Sequence, residues 1–221
     1  MKICIIGMVY KSVAYCDFMI DQLSRFSDSS IEIKVLANDP TPEVAQHLPN
    51  LGVPFRIRKD AHPEAHYLER VYRGWNECIE YAEADLAILV NSDMGYSPRW
   101  DTALVDSMAD DSIVTSRLVE SGKMPSGTHG ISKNFGRSPD QYDEAGFLEF
   151  AESIKCNRLH TGGLYSPVCL WADKFTQAGG FPEGNINGVP GDKIAFERCG
   201  MKHQTNFDSI VYHIQEGEMD E

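Results

Sequence analysis

The sequence contains no hydrophobic run long enough to cross a bilayer. The apolar segment that starts at Ile3 stops at Lys11, well short of the roughly 20 residues that a spanning helix needs. It also lacks a small-residue cleavage site after it. These absences argue against an integral membrane protein and against a cleaved secretory leader. We therefore expect a cytoplasmic protein with no transmembrane anchor.

Paired cysteines are absent and positive charge is scarce. The six cysteines lie far apart without a C-x-x-C pair, which argues against a zinc site and a disulfide framework. Lys and Arg number 20 against 33 Asp and Glu, so the formal net charge is −13. Such a charge repels polyanions and disfavours non-specific binding to nucleic acid or anionic membranes. A phosphate-bearing ligand would need a divalent cation or a local basic segment.

β-Branched runs alternate with amphipathic stretches along the chain. The order opens as strand, helix, strand, and because parallel strands need crossover connections, it predicts a mostly parallel central sheet flanked by helices. With 221 residues, 42% of them hydrophobic, the chain suits one large α/β domain. The predicted strands are residues 2–7, 32–37, 53–57, a run ending near Asp93, 112–117 and 208–214; the predicted helices are residues 12–26, 41–48, 64–83, 98–108, 143–155, 172–178 and 193–199. The acidic end, residues 214–221, is predicted to fray.

The fourth predicted strand ends on an isolated carboxylate. Residues 86–90 are all apolar, and Asn91, Ser92 and Asp93 follow them directly. In open α/β sheets ligands collect at the carboxyl ends of the strands. A carboxylate at that edge can hold a hard cation such as Mg²⁺ or Mn²⁺, although an aspartate in an ordinary turn is the structural alternative.

Residues 121–139 differ in character from the rest of the chain. They are rich in Gly, Ser and Pro, contain no acidic residue, and carry Lys123, Lys133 and Arg137. Their positive charge suits anionic phosphate oxygens, and long loops in compact domains are often functional. We predict either a lid over a ligand or a solvated, mobile loop.

Several short motifs resemble those of the inverting glycosyltransferases of family 2. Asn91-Ser92-Asp93 resembles the D-x-D metal motif in an N-x-D form, Gly179-Gly180-Phe181 the G-G-F turn, Gly191-Asp192 the catalytic E-D motif, and Val211-Tyr212-His213 a V-Y-H ending. The turn that follows the second strand and begins at Asn38 and Asp39 also resembles that family. The resemblance implies a Rossmann-like single domain with the GT-A fold. It would contain a nucleotide-binding half, residues 1–117, and an acceptor-binding and catalytic half, residues 118–221.

The resemblance also implies roles in the chemistry. Asp93 and His213 would hold Mn²⁺ or Mg²⁺, with Asn91 in place of a stronger acidic ligand. Asp192 would take the proton from an acceptor hydroxyl as the hydroxyl attacks the anomeric carbon; a helix N-cap is its structural alternative. A single carboxylate suffices for a displacement that inverts configuration.

Other residues are implied to bind the donor, a UDP-sugar or another nucleotide-diphosphate sugar. Asn38 or Asp39 would accept a hydrogen bond from the base, since the alignment can slip by one residue, and Arg73 would contact a phosphate. Gly179 and Gly180 would allow close backbone approach beside the sugar, where a side chain would occupy ligand space. The acceptor would be a hydroxyl of a glycan, a protein or a small molecule; modified DNA is less favoured by the net charge.

Four other functions compete with this interpretation. A dinucleotide-dependent oxidoreductase is disfavoured because no G-x-G-x-x-G motif follows Gly7. A sugar nucleotidyltransferase would share nucleotide, metal and architecture but normally opens with a glycine-rich basic loop. A non-catalytic nucleotide-sugar binder is suggested by Asn91 and Gly191, which replace acidic residues of the motifs. A processive synthase is disfavoured because no Q-x-x-R-W sequence follows Asp192.

Overall fold

The computed structural model describes residues 1–215, so most of the predicted acidic tail, residues 216–221, lies outside the described residues. Ile214 and Gln215, the first residues of that tail, are 0% and 1% exposed. The prediction that the chain frays directly after His213 is therefore wrong for these two residues. They are held because the last strand delivers them into the packed interior.

All ten strands of the described chain belong to one sheet. The strands are β1 (Ile3–Val9), β2 (Glu32–Asn38), β3 (Phe55–Arg58), β4 (Leu86–Asn91), β5 (Met94–Tyr96), β6 (Ser112–Glu120), β7 (Ile131–Ser132), β8 (Leu159–Thr161), β9 (Val168–Trp171) and β10 (Lys202–His213). The helices are α1 (Val13–Phe26), α2 (Pro42–His47), α3 (Tyr67–Ala82), α4 (Trp100–Asp106), α5 (Glu144–Ile154), α6 (Ala172–Gln177) and α7 (Gly191–Arg198), with 3₁₀ turns at Leu48–Leu51 and Pro139–Gln141.

The strand order along the sheet is β3-β2-β1-β4-β9-β6-β10-β5, with β7 beside β6 and β8 beside β10. The first four strands of this order are parallel, as predicted. The remainder is mixed, because β9 inserts antiparallel between β4 and β6. Since β10 is parallel to β6, the strands β1, β2, β4, β6 and β10 all end at one side of the sheet, which we call the carboxyl edge.

Sequence patterns missed the short strands and misplaced several helix starts, among them those of α3, α4 and α7. The strands β5, β7, β8 and β9 have two to four residues, too few for a periodic signal. Helix α4 begins at Trp100, after Arg99 at a φ of 63°, two residues later than the predicted start at residue 98. Helix α7 begins at Gly191, which places Asp192 inside the first turn and not at the N-cap.

Two apolar layers cover the two faces of the sheet. Successive residues of β1 and β4 belong to opposite layers. Ile5 and Ile88 pack with α1, α2 and α4 on one face. Ile6 and Leu89 pack with α3, α6 and α7 on the other. A third cluster joins α5 to the end of β10. Within residues 1–215, none of the helices combines the length and the apolarity needed to cross a bilayer.

His203 on β10 is expected to make stability pH-dependent. Tyr165 stacks on its ring at 5.4 Å, and Thr115 Oγ1 lies 3.2 Å from its Nε2. Burial lowers the pKa of His203 from 6.5 to about 4. As the pH falls, His203 is therefore protonated in the unfolded chain before it is protonated in the native state. Its contribution to the free energy of unfolding is complete above pH 6.5 and is lost toward pH 4.

This group alone should remove about 3 kcal/mol of unfolding free energy by pH 4. Urea unfolding of wild type and His203→Gln between pH 7 and pH 4 measures it, and the variant should lack this part of the slope. His62→Gln, at an exposed histidine, is the matched control. Equal slopes for wild type and His203→Gln would contradict the assignment.

Candidate active site

The carboxyl edge brings together the two residues predicted as metal ligands. Asp93 lies in the turn after β4, and His213 ends β10. The distance between Asp93 Oδ2 and His213 Nε2 is 3.3 Å. Strand register adds Glu120, which ends β6 beside His213; its Oε1 lies 3.3 Å from His213 Nδ1.

These charges perturb one another strongly. Burial lowers the pKa of His213, but Asp93 and Glu120 outweigh it and raise the pKa to about 10. Burial likewise raises the pKa of Glu120, yet contacts with His213, Ser126 and Gln215 bring it below its ordinary value. At neutral pH the imidazolium therefore bridges two carboxylates.

The geometry of Asp93 and His213 is compatible with one shared cation. Carboxylate oxygens are the ligands that Mg²⁺ and Mn²⁺ prefer, and imidazole also binds Mn²⁺. The described residues contain no group of three or more His, Cys, Asp or Glu arranged to hold a metal ion. Asp93 and His213 would hold such a cation, and its remaining ligands would have to come from outside this pair. Asn91 ends β4 two residues before Asp93, in register with Met8 on β1.

Glu120 was missed by sequence reasoning. The strand was predicted to end at residue 117, whereas β6 continues to Glu120 and carries the buried Leu118 and Val119. Those two apolar residues were the available signal that the strand extends further. The acid that follows them therefore belongs to the sheet edge and not to the loop.

Asp192 lies in the first turn of α7, on the face of the sheet covered by α3. Its backbone N–H donates to Tyr72 Oη at 3.3 Å, and its Oδ1 accepts from the N–H of Lys193 at 2.8 Å. Tyr72 is near the start of α3, and because α3 leads into β4, this end of the helix lies toward the carboxyl edge. Burial raises the pKa of Asp192, which makes its carboxylate a stronger proton acceptor.

The glycines of the turn between α6 and α7 face protein atoms. A Cβ on Gly180 would lie 2.5 Å from Asn76 Oδ1, and one on Gly179 would lie 3.3 Å from the Arg198 guanidinium carbon. Asn76 exchanges two hydrogen bonds with the backbone of Phe181, at 2.8 and 2.9 Å. The close approach that the structure shows at these glycines is to α3 and α7, and close approach of a sugar to the same backbone stays a prediction.

Gly180→Ala is expected to destabilise the protein more than a positive φ alone explains. Gly180 has a φ of +59° and Gly200 a φ of +66°, but a Cβ on Gly200 meets nothing within 4 Å. Each substitution should lower the free energy of unfolding by about 1 to 2 kcal/mol, because alanine disfavours the left-handed backbone conformation. Only Gly180→Ala also displaces Asn76 from Phe181. Urea unfolding should show a larger loss for Gly180→Ala, and equal losses would contradict this account.

The structure separates Asn38 from Asp39, the two alternatives for contact with the base. The amide of Asn38 is used at both ends: it donates to Arg70 O at 3.2 Å and accepts from Arg58 Nη1 at 2.7 Å. Asp39 has a φ of 51°, and its Oδ1 accepts from the N–H of Asp60 at 2.8 Å. Its buried Oδ2 accepts no hydrogen bond but lies 3.7 Å from Arg70 Nη1, and Arg70 Nε is also buried without a hydrogen-bond partner. Of the two residues, Asp39 is thus the one with a side-chain oxygen that accepts no hydrogen bond.

Arg73 has strong protein partners. Its Nε and Nη2 donate to the two carboxylate oxygens of Asp60, both at 3.0 Å, and its Nη1 lies 3.2 Å from Glu183. Arg58 contacts the same Asp60 at 2.9 Å. The geometry explains Arg73 as support for the start of α3, and its contact with a phosphate stays a prediction.

The segment at 121–139 is anchored at several points. β7 pairs with β6, Phe135 is buried and its N–H donates to Tyr212 Oη at 3.1 Å, and Arg117 Nε donates to His129 O at 3.0 Å. The ammonium of Lys133 lies 3.8 Å from the centre of the Phe150 ring. These contacts correct the alternative of a solvated, mobile loop for the β7 and Phe135 region, and they direct Lys133 toward aromatic rings.

Two grooves lie away from these residues. One, of about 510 Å³, is at the opposite edge of the sheet, where Lys2 and Asp85 precede β1 and β4. The other, of about 350 Å³, lies between Arg99, Lys155 and Asp208. Neither includes a residue predicted to bind the donor or a metal, so the convergence of charged groups, and not cavity volume, identifies the candidate site.

Comparison with solved structures identifies the fold. Residues 1–349 of TarS from S. aureus superpose with a TM-score of 0.64 at 13% identity, covering 96% of this chain and 60% of that one. The mannosyltransferase PcManGT from Pyrobaculum calidifontis, in complex with GDP-Man and Mn²⁺, gives 0.61 at 10% identity, covering 96% and 56%. The chain has a GT-A-like glycosyltransferase fold.

This finding confirms the fold class expected from the sequence motifs. A complex of the same TarS fragment with UDP gives a TM-score of 0.61 at 13% identity and covers 60% of that chain. The present GT-A-like chain thus spans about 60% of the length of the structures that it matches. No family profile and no curated protein matches the sequence.

Proposed function

We propose that this chain is a metal-dependent, inverting glycosyltransferase that moves one sugar from a nucleotide-diphosphate sugar to an acceptor hydroxyl. The observation that carries the proposal is the convergence of Asp93 and His213, 3.3 Å apart, at the carboxyl edge of a glycosyltransferase fold. TarS was solved with UDP and PcManGT with GDP-Man and Mn²⁺, which supports a nucleotide-sugar donor and a divalent cation for this fold.

Asp192 is the proposed general base. Its raised pKa favours proton uptake, and its backbone N–H is fixed by Tyr72 Oη, which holds the start of α7 in place. The carboxylate would take the proton of the acceptor hydroxyl as the oxygen bonds to the anomeric carbon and the bond to the diphosphate breaks. Because no covalent sugar intermediate forms, one carboxylate completes the reaction with inversion.

Asp93 and His213 are the proposed ligands of Mn²⁺ or Mg²⁺. A cation at this position supplies Lewis-acid stabilisation of the leaving diphosphate. To bind through Nε2, His213 must give up the proton that it shares with Asp93. The negative net charge of the chain makes direct contact with a diphosphate unfavourable without such compensation.

Asp39 is the proposed contact for the base of the donor. Its Oδ2, which accepts no hydrogen bond and pairs with Arg70 Nη1 at 3.7 Å, could accept the N3–H of uracil or a comparable ring donor, and the buried Arg70 Nε could donate to a ring carbonyl. We further propose a cytoplasmic enzyme that uses a glycan, protein or small-molecule hydroxyl as acceptor.

A nucleotide-sugar screen tests the proposal. Purified protein is heated with UDP-sugars and GDP-sugars, with and without Mn²⁺, and melting is followed by fluorescence. Binding to the native state raises Tm by mass action, so one donor class should stabilise the protein more with Mn²⁺. Release of nucleoside diphosphate from that donor is then measured. Pyrophosphate release from a nucleoside triphosphate would support a sugar nucleotidyltransferase instead, and donor binding without turnover would support a non-catalytic binder.

A further inference from the structure

Glu120 is a buried carboxylate that the proposed reaction does not use. The residue is 6% exposed at the end of β6, where the parallel register sets it directly beside His213. An acidic side chain is seldom buried unless it is paired, because its charge loses hydration. His213, Gln215 and Ser126 all contact it, and of these three His213 is the one that can carry positive charge.

The two carboxylates contact opposite nitrogens of one imidazole. Glu120 Oε1 is 3.3 Å from Nδ1, and Asp93 Oδ2 is 3.3 Å from Nε2. The two ring nitrogens point in different directions, so a cation bound at Nε2 beside Asp93 lies on the far side of the ring from Glu120. The contact of Glu120 with Nδ1 therefore suits orientation of the ring and not ligation of the same cation.

Glu120 is itself held in place. Gln215 Nε2 donates to Glu120 Oε1 at 3.1 Å, and Gln215 Oε1 accepts from the N–H of Met124 at 3.2 Å. Gln215 has a φ of 57°, an uncommon conformation for a residue other than glycine. Ser121 Oγ donates to the carbonyl of Ile214 at 2.6 Å and ties the same turn to the end of β6. The chain thus turns sharply after His213 in a way that fixes the acid.

We propose that Glu120 is a positioning residue that accepts the Nδ1–H of His213 and so directs Nε2 toward the cation held with Asp93. A histidine that binds metal through one nitrogen generally donates its other N–H to a carboxylate or carbonyl, which sets the tautomer and the ring orientation. This inference rests on the proposed function, because it assumes a cation at Asp93 and His213. Glu120 is thus a third residue whose replacement weakens binding of the cation, although Glu120 is not itself a ligand.

Cation affinity in Glu120 variants tests the inference. Mn²⁺ is titrated into wild type, Glu120→Gln and Glu120→Ala with UDP present, and separately with GDP, while EPR follows free Mn²⁺ against protein-free titrations. Glu120→Ala should weaken Mn²⁺ binding by about 10- to 100-fold, and Glu120→Gln by less, because its amide oxygen still accepts the Nδ1–H. Glu149→Gln, an exposed glutamate of α5, carries the same charge change and should bind as wild type does.

The tautomer of His213 gives a second readout that loss of folding alone would not produce. In the Mg²⁺ and UDP or GDP complex, the ¹⁵N shifts of the imidazole should report protonated Nδ1 in wild type and a mixture of tautomers in Glu120→Ala. If Glu120→Ala does not fold, Glu120→Gln carries both measurements. Wild-type affinity and an unchanged tautomer in folded Glu120 variants would overturn the inference. Absence of nucleotide-dependent Mn²⁺ binding in wild type would instead overturn the metal site of the proposed function.

Discussion

Asp192→Asn is expected to lower kcat for sugar transfer by about 10²- to 10⁴-fold, the range for loss of a general base. Asn keeps the shape of the side chain and the hydrogen bond from Lys193 N–H, but it cannot take the acceptor proton. Donor affinity should be unchanged, because Asp93, His213 and Asp39 are untouched. Release of nucleoside diphosphate gives the rate, and calorimetric titration of the donor gives the affinity.

The same variant should be at least as stable as wild type at neutral pH. Burial raises the pKa of Asp192 in the native state above its value in the unfolded chain. The native state therefore loses stability as the pH rises from the unfolded-state pKa to the native-state pKa, and this stability stays lost at higher pH. Asn removes the charge and with it this loss. Asp173→Asn, at an exposed first-turn aspartate of α6, is the matched control. A variant that transfers sugar at the wild-type rate would exclude Asp192 as the base.

Asp93→Asn is expected to abolish the Mn²⁺-dependent part of donor binding. Stabilisation of a leaving diphosphate by a cation is worth several kcal/mol, so transfer should fall by about 10²- to 10³-fold. The Tm increase produced by Mn²⁺ together with the nucleotide should disappear, while the smaller increase from nucleotide alone should remain. Thermal melts with nucleotide, with Mn²⁺ and with both separate these contributions.

Loss of folding would also reduce activity, so the variant needs a structural control. Asp93 is 9% exposed and contacts His213, and its replacement leaves Glu120 as the remaining carboxylate beside the imidazolium. Circular dichroism should show the wild-type fold. Asp106→Asn, at an exposed aspartate of α4, should retain full Mn²⁺ dependence. Retained Mn²⁺ dependence in Asp93→Asn would place the cation elsewhere.

Local patterns were sufficient where a signal spans many residues. The parallel opening, the long helix α3 and the strand leading to Asp93 follow from apolar periodicity and crossover order. Motif order along the chain also led to Asp93 and His213, which the structure places 3.3 Å apart although they are separated by 120 positions. The strands and helices depend on each segment's own composition and can be predicted before folding, whereas the pair Asp93 and His213 was indicated by resemblance to motifs of the family 2 glycosyltransferases.

Contacts between distant segments decided the rest. The sequence motif indicated that Gly180 leaves space for a sugar. The position of α3 brings Asn76 Oδ1 close to the place that a side chain at residue 180 would occupy. The sequence also left Asn38 and Asp39 equal. In the structure, Arg58 and Arg70 occupy the amide of Asn38, whereas one carboxylate oxygen of Asp39 accepts no hydrogen bond.

The amino-acid sequence by itself determined the fold class and nominated the carboxylates and the histidine, because strand periodicity and motif spacing are local properties. Only the tertiary structure decided that Glu120 borders His213, since that contact depends on the parallel register of β6 and β10, strands that lie far apart in the chain. Burial, which the sequence does not specify, then determined which of these charges are perturbed.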